Sequence, residues 1–253
     1  DRGISPVSEG PGIGGGVDAV FKKTDYSNSS DASLGYDLTI GGRSVNDSVS
    51  TGGIIGAATD TWRANLLGAY EEGGDTEYKD GTIGGSEFQR SIYGLATGLR
   101  TDLGEFSLDW RRHNTGFSGN PPFGMDIRFV DTDVLKAGYE KAFGDVLVEA
   151  SASYTDAAHG MNTFDLRPAM MQREAFAYAI TRKADIAATF PAFGGSLQIG
   201  ADTAEEDHNI HVVDPGNLDN FVYSLPDIVI HRTGAFAEWT GALGAFNAEL
   251  GLR

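Results

Sequence analysis

The chain has 253 residues, with 36 acidic and 19 basic side chains and a formal charge of −17. That balance excludes a nucleic-acid partner, which needs a basic footprint; an acidic surface draws cations instead. With no cysteine, neither a disulfide framework nor a thiolate metal site can form within the chain.

The chain opens on "SEGPGIGGGVDAVFKKT" (8–24), Gly-rich and then strand-like. It starts at Asp1 without a charged-then-apolar signal segment and ends within the alternating "FNAELGLR", so it reads as a mature chain or a piece of a longer one. From there the dominant period is two, the mark of strands with two different faces. In 61–71, Trp62, Ala64, Leu66, Gly68 and Tyr70 alternate with polar residues; in 105–111, Phe106, Leu108 and Trp110 do so. In 146–155 the apolar set is Val146, Val148, Ala150, Ala152 and Tyr154, and in 246–253 it is Phe246, Ala248, Leu250 and Leu252. Weaker copies lie at 34–42, 91–100, 133–143, 175–184 and 193–203. No run approaches the roughly 18 apolar residues of a membrane helix.

These runs exceed the roughly 5 or 6 residues of an ordinary globular strand and match the roughly 9 to 11 of a tilted membrane strand. Aromatic residues close the apolar faces at Tyr70, Trp110, Phe143, Tyr154 and Trp239, as in the girdles of a lipid-embedded barrel. Tight turns at "TDLGE" (101–105) and "AFGD" (142–145) alternate with long polar stretches at 72–88, 113–132 and 204–227. The expected fold is all-β: part of an antiparallel up-and-down transmembrane β-barrel, with long loops on one side and tight turns on the other. A soluble β-sandwich also alternates. Strand length, turn asymmetry and charge on the second face (Arg63, Glu149, Glu249) count against it.

Enzyme signatures are absent: there is no Gly-x-Ser-x-Gly, no P-loop and no His-Glu-x-x-His. The unusual chemistry sits elsewhere. "AAHGMNTFDLR" (157–167) follows a strand pattern with His159 and Met161 two apart, in a chain with four methionines and five histidines. A second methionine, Met125, lies in "GMD" before another strand pattern. Two strands, 133–143 and 146–156, separate the two, and an up-and-down hairpin returns the chain to the same end of the sheet. Met125 and Met161 are therefore expected on the long-loop side. Thioether sulfur is soft and uncharged; it suits copper far better than Mg, Ca or Mn. Met170 and Met171 in "RPAMMQRE" read as reserve ligands or as a loop cover. His208 and His211, in "EEDHNIHVVD", read as a solvated loop or as ligands for a harder ion. His113 and His231 suggest no role.

The segment "GMDIRFVDTDVLKAGYEKAFGDVLVEASASYTDAAHGMNTFDLR" (124–167), with "EYKDGTIGGSEF" (77–88) and the Gly-rich start, resembles the TonB-dependent copper receptors of Gram-negative outer membranes across roughly residues 10–203. Where that family continues after His-x-Met with Asp-Asn-aromatic, this chain has Asn162-Thr163-Phe164. The resemblance implies that residues 1–18 are the end of a plug domain and 19–253 part of the barrel. It implies copper as transported ligand rather than catalytic cofactor, held by Met125, His159 and Met161. The family's plug Cys-x-x-x-Met has no counterpart here. Implied partners are copper, the TonB complex acting through the plug, and outer-membrane lipid. Two alternatives stay open: a receptor for a metal chelate such as a siderophore, read by Arg and aromatic contacts in the long loops, and a soluble β-sandwich binding module.

Overall fold

The structure, a computed structural model, describes residues 23–166, 171–217, 219, 221–244 and 246–253. The expected plug end, residues 1–18, lies outside them. Thirteen strands follow in order: β1 (Ser33–Arg43), β2 (Ser48–Ala58), β3 (Trp62–Gly73), β4 (Thr76–Tyr78), β5 (Gly81–Ile83), β6 (Phe88–Thr101), β7 (Gly104–Thr115), β8 (Asp126–Phe143), β9 (Val146–Asn162), β10 (Glu174–Ala192), β11 (Gly195–Val213), β12 (Phe221–Leu243) and β13 (Phe246–Leu252). Eleven form one meander in the order β1-β2-β3-β6-β7-β8-β9-β10-β11-β12-β13, every neighbouring pair antiparallel; β4 and β5 make a separate hairpin. β1 and β13 are the edges of the large sheet.

The register sorts the side chains into two faces. One row runs Leu66, Leu95, Trp110, Leu135, Tyr154 across five strands, and another runs Trp62, Leu99, Phe106, Tyr139, Ala150. This apolar face is open: Leu66 is 65% and Leu108 45% exposed. Among the described residues no second sheet covers it, and the buried apolar side chains are Ala58, Ala96, Ala204 and Phe236. A sandwich would bury this face, so the sandwich expectation is overturned. The other face carries Arg63, Glu105, Asp109, Arg111, Glu149, Asp185, Asp202 and Glu249. It is the enclosed one, since Arg63, Asn65 and Arg111 are buried. This is the wall of a partial antiparallel barrel, apolar outside and charged within.

The outward apolar run has a sharp upper limit on five strands. On β9 it extends from Val146 to Tyr154 and then meets Asp156; β7 breaks at Arg112, β8 at Asp133, β10 at Arg182 and β11 at Glu205. Arg112 donates to Asp133 at 2.7 Å and Arg182 to Glu205 at 2.5 Å, so four of these five border charges are paired. Below the border lie the tight turns. At the β10–β11 turn Phe193 and Gly194 both have positive φ (53° and 73°), the backbone a two-residue hairpin of type I′ demands. At the other end, longer segments join β3 to β6, β7 to β8 and β9 to β10.

The polar stretch expected at 204–227 is mostly strand: β11 runs on to Val213 and β12 begins at Phe221. Above the charged border polar, aromatic and aliphatic residues are mixed on both faces. The alternation vanishes there, but the hydrogen-bonded ladder does not.

A strap precedes β1. The Thr24 N–H donates to Asn65 Oδ1 at 2.8 Å, and the Tyr26 ring lies under the guanidinium groups of Arg63 (4.4 Å) and Arg100 (3.7 Å). Both arginines are tied to Glu105, at 3.2 and 2.9 Å. Glycine makes the seat: a Cβ at Gly56 would fall 2.0 Å from Thr24 Oγ1, and one at Gly98 2.5 Å from the Tyr26 hydroxyl.

Candidate metal site at the rim

His159 and Met161 are in strand, not loop: β9 continues to Asn162. Side chains two apart on a strand share a face, with Cβ atoms ~7 Å apart, so both can reach one ion. Their face is the enclosed one. His159 lies in register between Val130 and Ala177, and Met161 between Ile127 and Ala175. These neighbours are apolar and offer no competing donor. His159 Nε2 is buried, with no hydrogen-bond partner among the described residues. Burial pushes the imidazole below its ordinary pKa. The ring lies above the Asp156 border, and in its neutral form it keeps a nitrogen lone pair free.

The glycine of "HGM" has a packing reason. A Cβ at Gly160 would lie 2.4 Å from the Phe129 ring, so the opposite face of the strand closes over that ring at this point.

Met125, half-buried, directly precedes β8, whose first residue pairs with Asn162 at the end of β9. By strand geometry the Cα atoms of Met125 and Met161 are within about 10 Å, at the same end of the sheet. Two braces hold this end. Asp126, 1% exposed, accepts the Asn120 N–H at 2.8 Å, while Ser118 and Ile127 exchange backbone bonds at 2.9 Å. Asn162, equally buried, accepts the N–H groups of Phe164 (3.2 Å) and Asp165 (3.0 Å) and donates to the Asp165 carboxylate at 2.5 Å. A β-bulge between Ile127 and Phe129 breaks the register at Arg128, whose guanidinium reaches Glu174 on β10 at 2.7 Å. The sequence reading missed Asn162, Asp126 and Arg128. The signal for Asn162 was present: Asn-x-x-Asp after a strand is the composition of an Asx turn.

The other sulfur and imidazole groups lie elsewhere. Met171 is 62% exposed and its carbonyl accepts the Thr163 hydroxyl at 3.0 Å; Met170 is outside the described residues. His208 and His211 sit within β11, not in a solvated loop, and three residues apart they point to opposite faces. His208 is on the enclosed side, 3.6 Å from Glu206, and His211 on the outer. Among the described residues no three His, Asp or Glu side chains cluster to hold a metal.

No protein-family model matches the chain, and no curated protein matches it. Among solved structures it is similar to one described as "Copper transporter OprC", with a TM-score of 0.72 and 20% sequence identity over 87% of this chain. The chain spans 36% of that structure's length. At this identity the likeness is one of fold.

Proposed function

We propose that the chain is part of a TonB-dependent outer-membrane receptor for copper, with Met125, His159 and Met161 as ligands supplied by the barrel rim. The observation that carries this reading is the β8–β9 register. It returns Met125 to the level of Met161, on the strand where a buried, unpartnered imidazole nitrogen shares Met161's face. A soft thioether pair with neutral imidazole favours Cu(I) over hard cations, and it holds the ion without a proton having to leave sulfur. The acidic lumen wall draws cations inward, and the fold likeness to a copper transporter points the same way. Residues 1–18 are read as the end of the plug, which supplies the remaining ligands and the contact to the TonB complex. Open sheet edges are not tolerated in lipid, so strands outside this chain complete the wall. The cycle is capture from outside, a pull on the plug, and release to the periplasm, with no covalent chemistry.

The test is the copper content, by elemental analysis, of the full-length protein and of a Met125→Leu, Met161→Leu double variant. Leucine keeps volume and apolarity, so the fold is preserved. Loading is expected to fall by at least about tenfold, the equivalent of ~1.4 kcal/mol; equal loading removes the site.

A further inference from the structure

On the outer face, above the charged border at Arg182 and Glu205, the long strands β10, β11 and β12 enclose a cleft of 380 Å³. One wall is aromatic. The His211 ring stacks between Phe176 and Phe221, at 5.3 Å from each and with interplanar angles of 30° and 26°. Tyr178 joins the stack at 6.0 Å and 20°, and Tyr223 caps Phe221 edge-on at 4.8 Å. The other wall is polar: Asp207, Asn209 and Asp227, with Asn209 donating to Asp227 at 2.5 Å and lying 3.3 Å from His211 Nδ1. Neither Asp207 nor Asp227 is ion-paired among the described residues. Two register shifts in the β11–β12 pairing, between His208 and Ile210 and between Ile210 and His211, interrupt the ladder at this point. Such bulges re-aim side chains where a strand must do more than pair.

We propose that this cleft is a saccharide subsite taking one pyranose unit of the sugars around the barrel. The chemistry is complementary. A pyranose has an apolar face of C–H groups that lies against aromatic rings and a rim of hydroxyls that both donate and accept. Carboxylates accept from them, while the amide and tyrosine hydroxyls do both. The near-parallel row of Tyr178, His211 and Phe221, with Tyr223 turned across it, gives an extended apolar edge for the C–H face of one sugar ring. The position favours it too. On the outer-membrane reading, on which this inference rests, the cleft lies just outside the lipid, at the level of glycolipid sugars.

The experiment is saturation-transfer NMR on the full-length protein in a sugar-free detergent. The probes are core oligosaccharide released from lipopolysaccharide, free glucose and galactose, and tetramethylammonium. Transfer to pyranose C–H protons is expected, weakened by about tenfold in Asp227→Asn and by about fivefold in Tyr223→Ala. Preference for the oligosaccharide assigns the glycolipid as source; equal binding of the free monosaccharides assigns soluble sugar, and either supports the site. Absence of transfer, transfer unchanged in both variants, or binding of tetramethylammonium alone overturns it. Copper content measured on the same samples keeps the two readings apart: sugar binding lost with copper retained breaks this inference only, and the reverse breaks the copper reading only.

Discussion

The two halves of the sheet are built to different lengths. Strands β1, β2, β3, β6 and β7 have 11 to 14 residues, while β8 to β12 have 17 to 23. A tilted strand needs roughly 9 to 11 residues to cross a bilayer, so the short half is nearly all crossing and the long half rises well beyond it. The inner faces differ in the same sense. In the short half the chain closes its own lumen surface: Tyr26 and Thr24 fill the seat offered by Gly56, Gly98 and Asn65, and Arg111 grips Asp109 with two bonds, at 2.7 and 2.9 Å. In the long half, above the border, His159 Nε2 has no hydrogen-bond partner among the described residues. Extra strand length is where this protein carries its soft-metal donors, and the crossing part is where it ties charges to one another.

The sharpest way to break that contrast is to place a charge on each side of the border. Leu108→Arg puts a guanidinium within the outward apolar band of β7 and is expected to cost about 2–4 kcal/mol in lipid. Asn114→Arg, on the same face of β7 but above Arg112, is expected to cost less than about 0.5 kcal/mol. Denaturant unfolding in lipid vesicles measures both. Equal costs mean that the border between Trp110 and Arg112 does not mark the edge of hydrocarbon.

The same border decides how much was legible in sequence. Below it, the outward face must be apolar and the inward face need not be, so β3, β7, β9 and β13 announced themselves by alternation. Above it neither face is constrained, and the upper parts of β11 and β12 read as loop. β2 escaped for a different reason. Its "SVSTGGIIGAA" is short of large residues partly because Gly56 faces the strap and a side chain there would strike Thr24. That is a contact 32 residues away in sequence, which no local pattern reveals. At the rim, Met125, His159 and Met161 stood out by residue type, and the hairpin argument placed both methionines at one end. The supports did not stand out: buried Asp126 and Asn162 have the composition of ordinary turns, and only pairing shows that they sit opposite each other, each holding its own loop.

A smaller effect tests the short half from within. Tyr26→Ala removes a ring that lies under two guanidinium groups, an interaction worth about 1–2 kcal/mol. The loss should appear as local opening of the strap and leave global unfolding almost unchanged, because the β2–β3–β6 ladder does not depend on it. Faster tryptic cleavage at Lys23, with an unaltered unfolding midpoint, is the expected result. A lowered midpoint with unchanged cleavage would mean that the strap is part of the cooperative fold.

The smallest effect concerns the proton at the rim. Burial lowers the His159 pKa from its ordinary value of 6.5, so on acidification the unfolded chain takes up that proton before the folded one does. Stability is then unaffected by this group above about pH 6.5 and falls as the pH drops from there toward the lowered folded value. His113, on the same enclosed face of β7, is lowered by burial and by the neighbouring Arg111 and acts in the same direction. His159→Gln should make the decline of stability between neutral and mildly acidic pH shallower without abolishing it, since the His113 share remains. Unfolding curves at a series of pH values read this directly, with no copper present. An unchanged slope in the variant would mean that the folded protein accommodates a charged imidazole at position 159 as readily as water does. The unpartnered nitrogen would then be accessible to protons at ordinary pH and would bring no advantage to a soft-metal site over an exposed histidine.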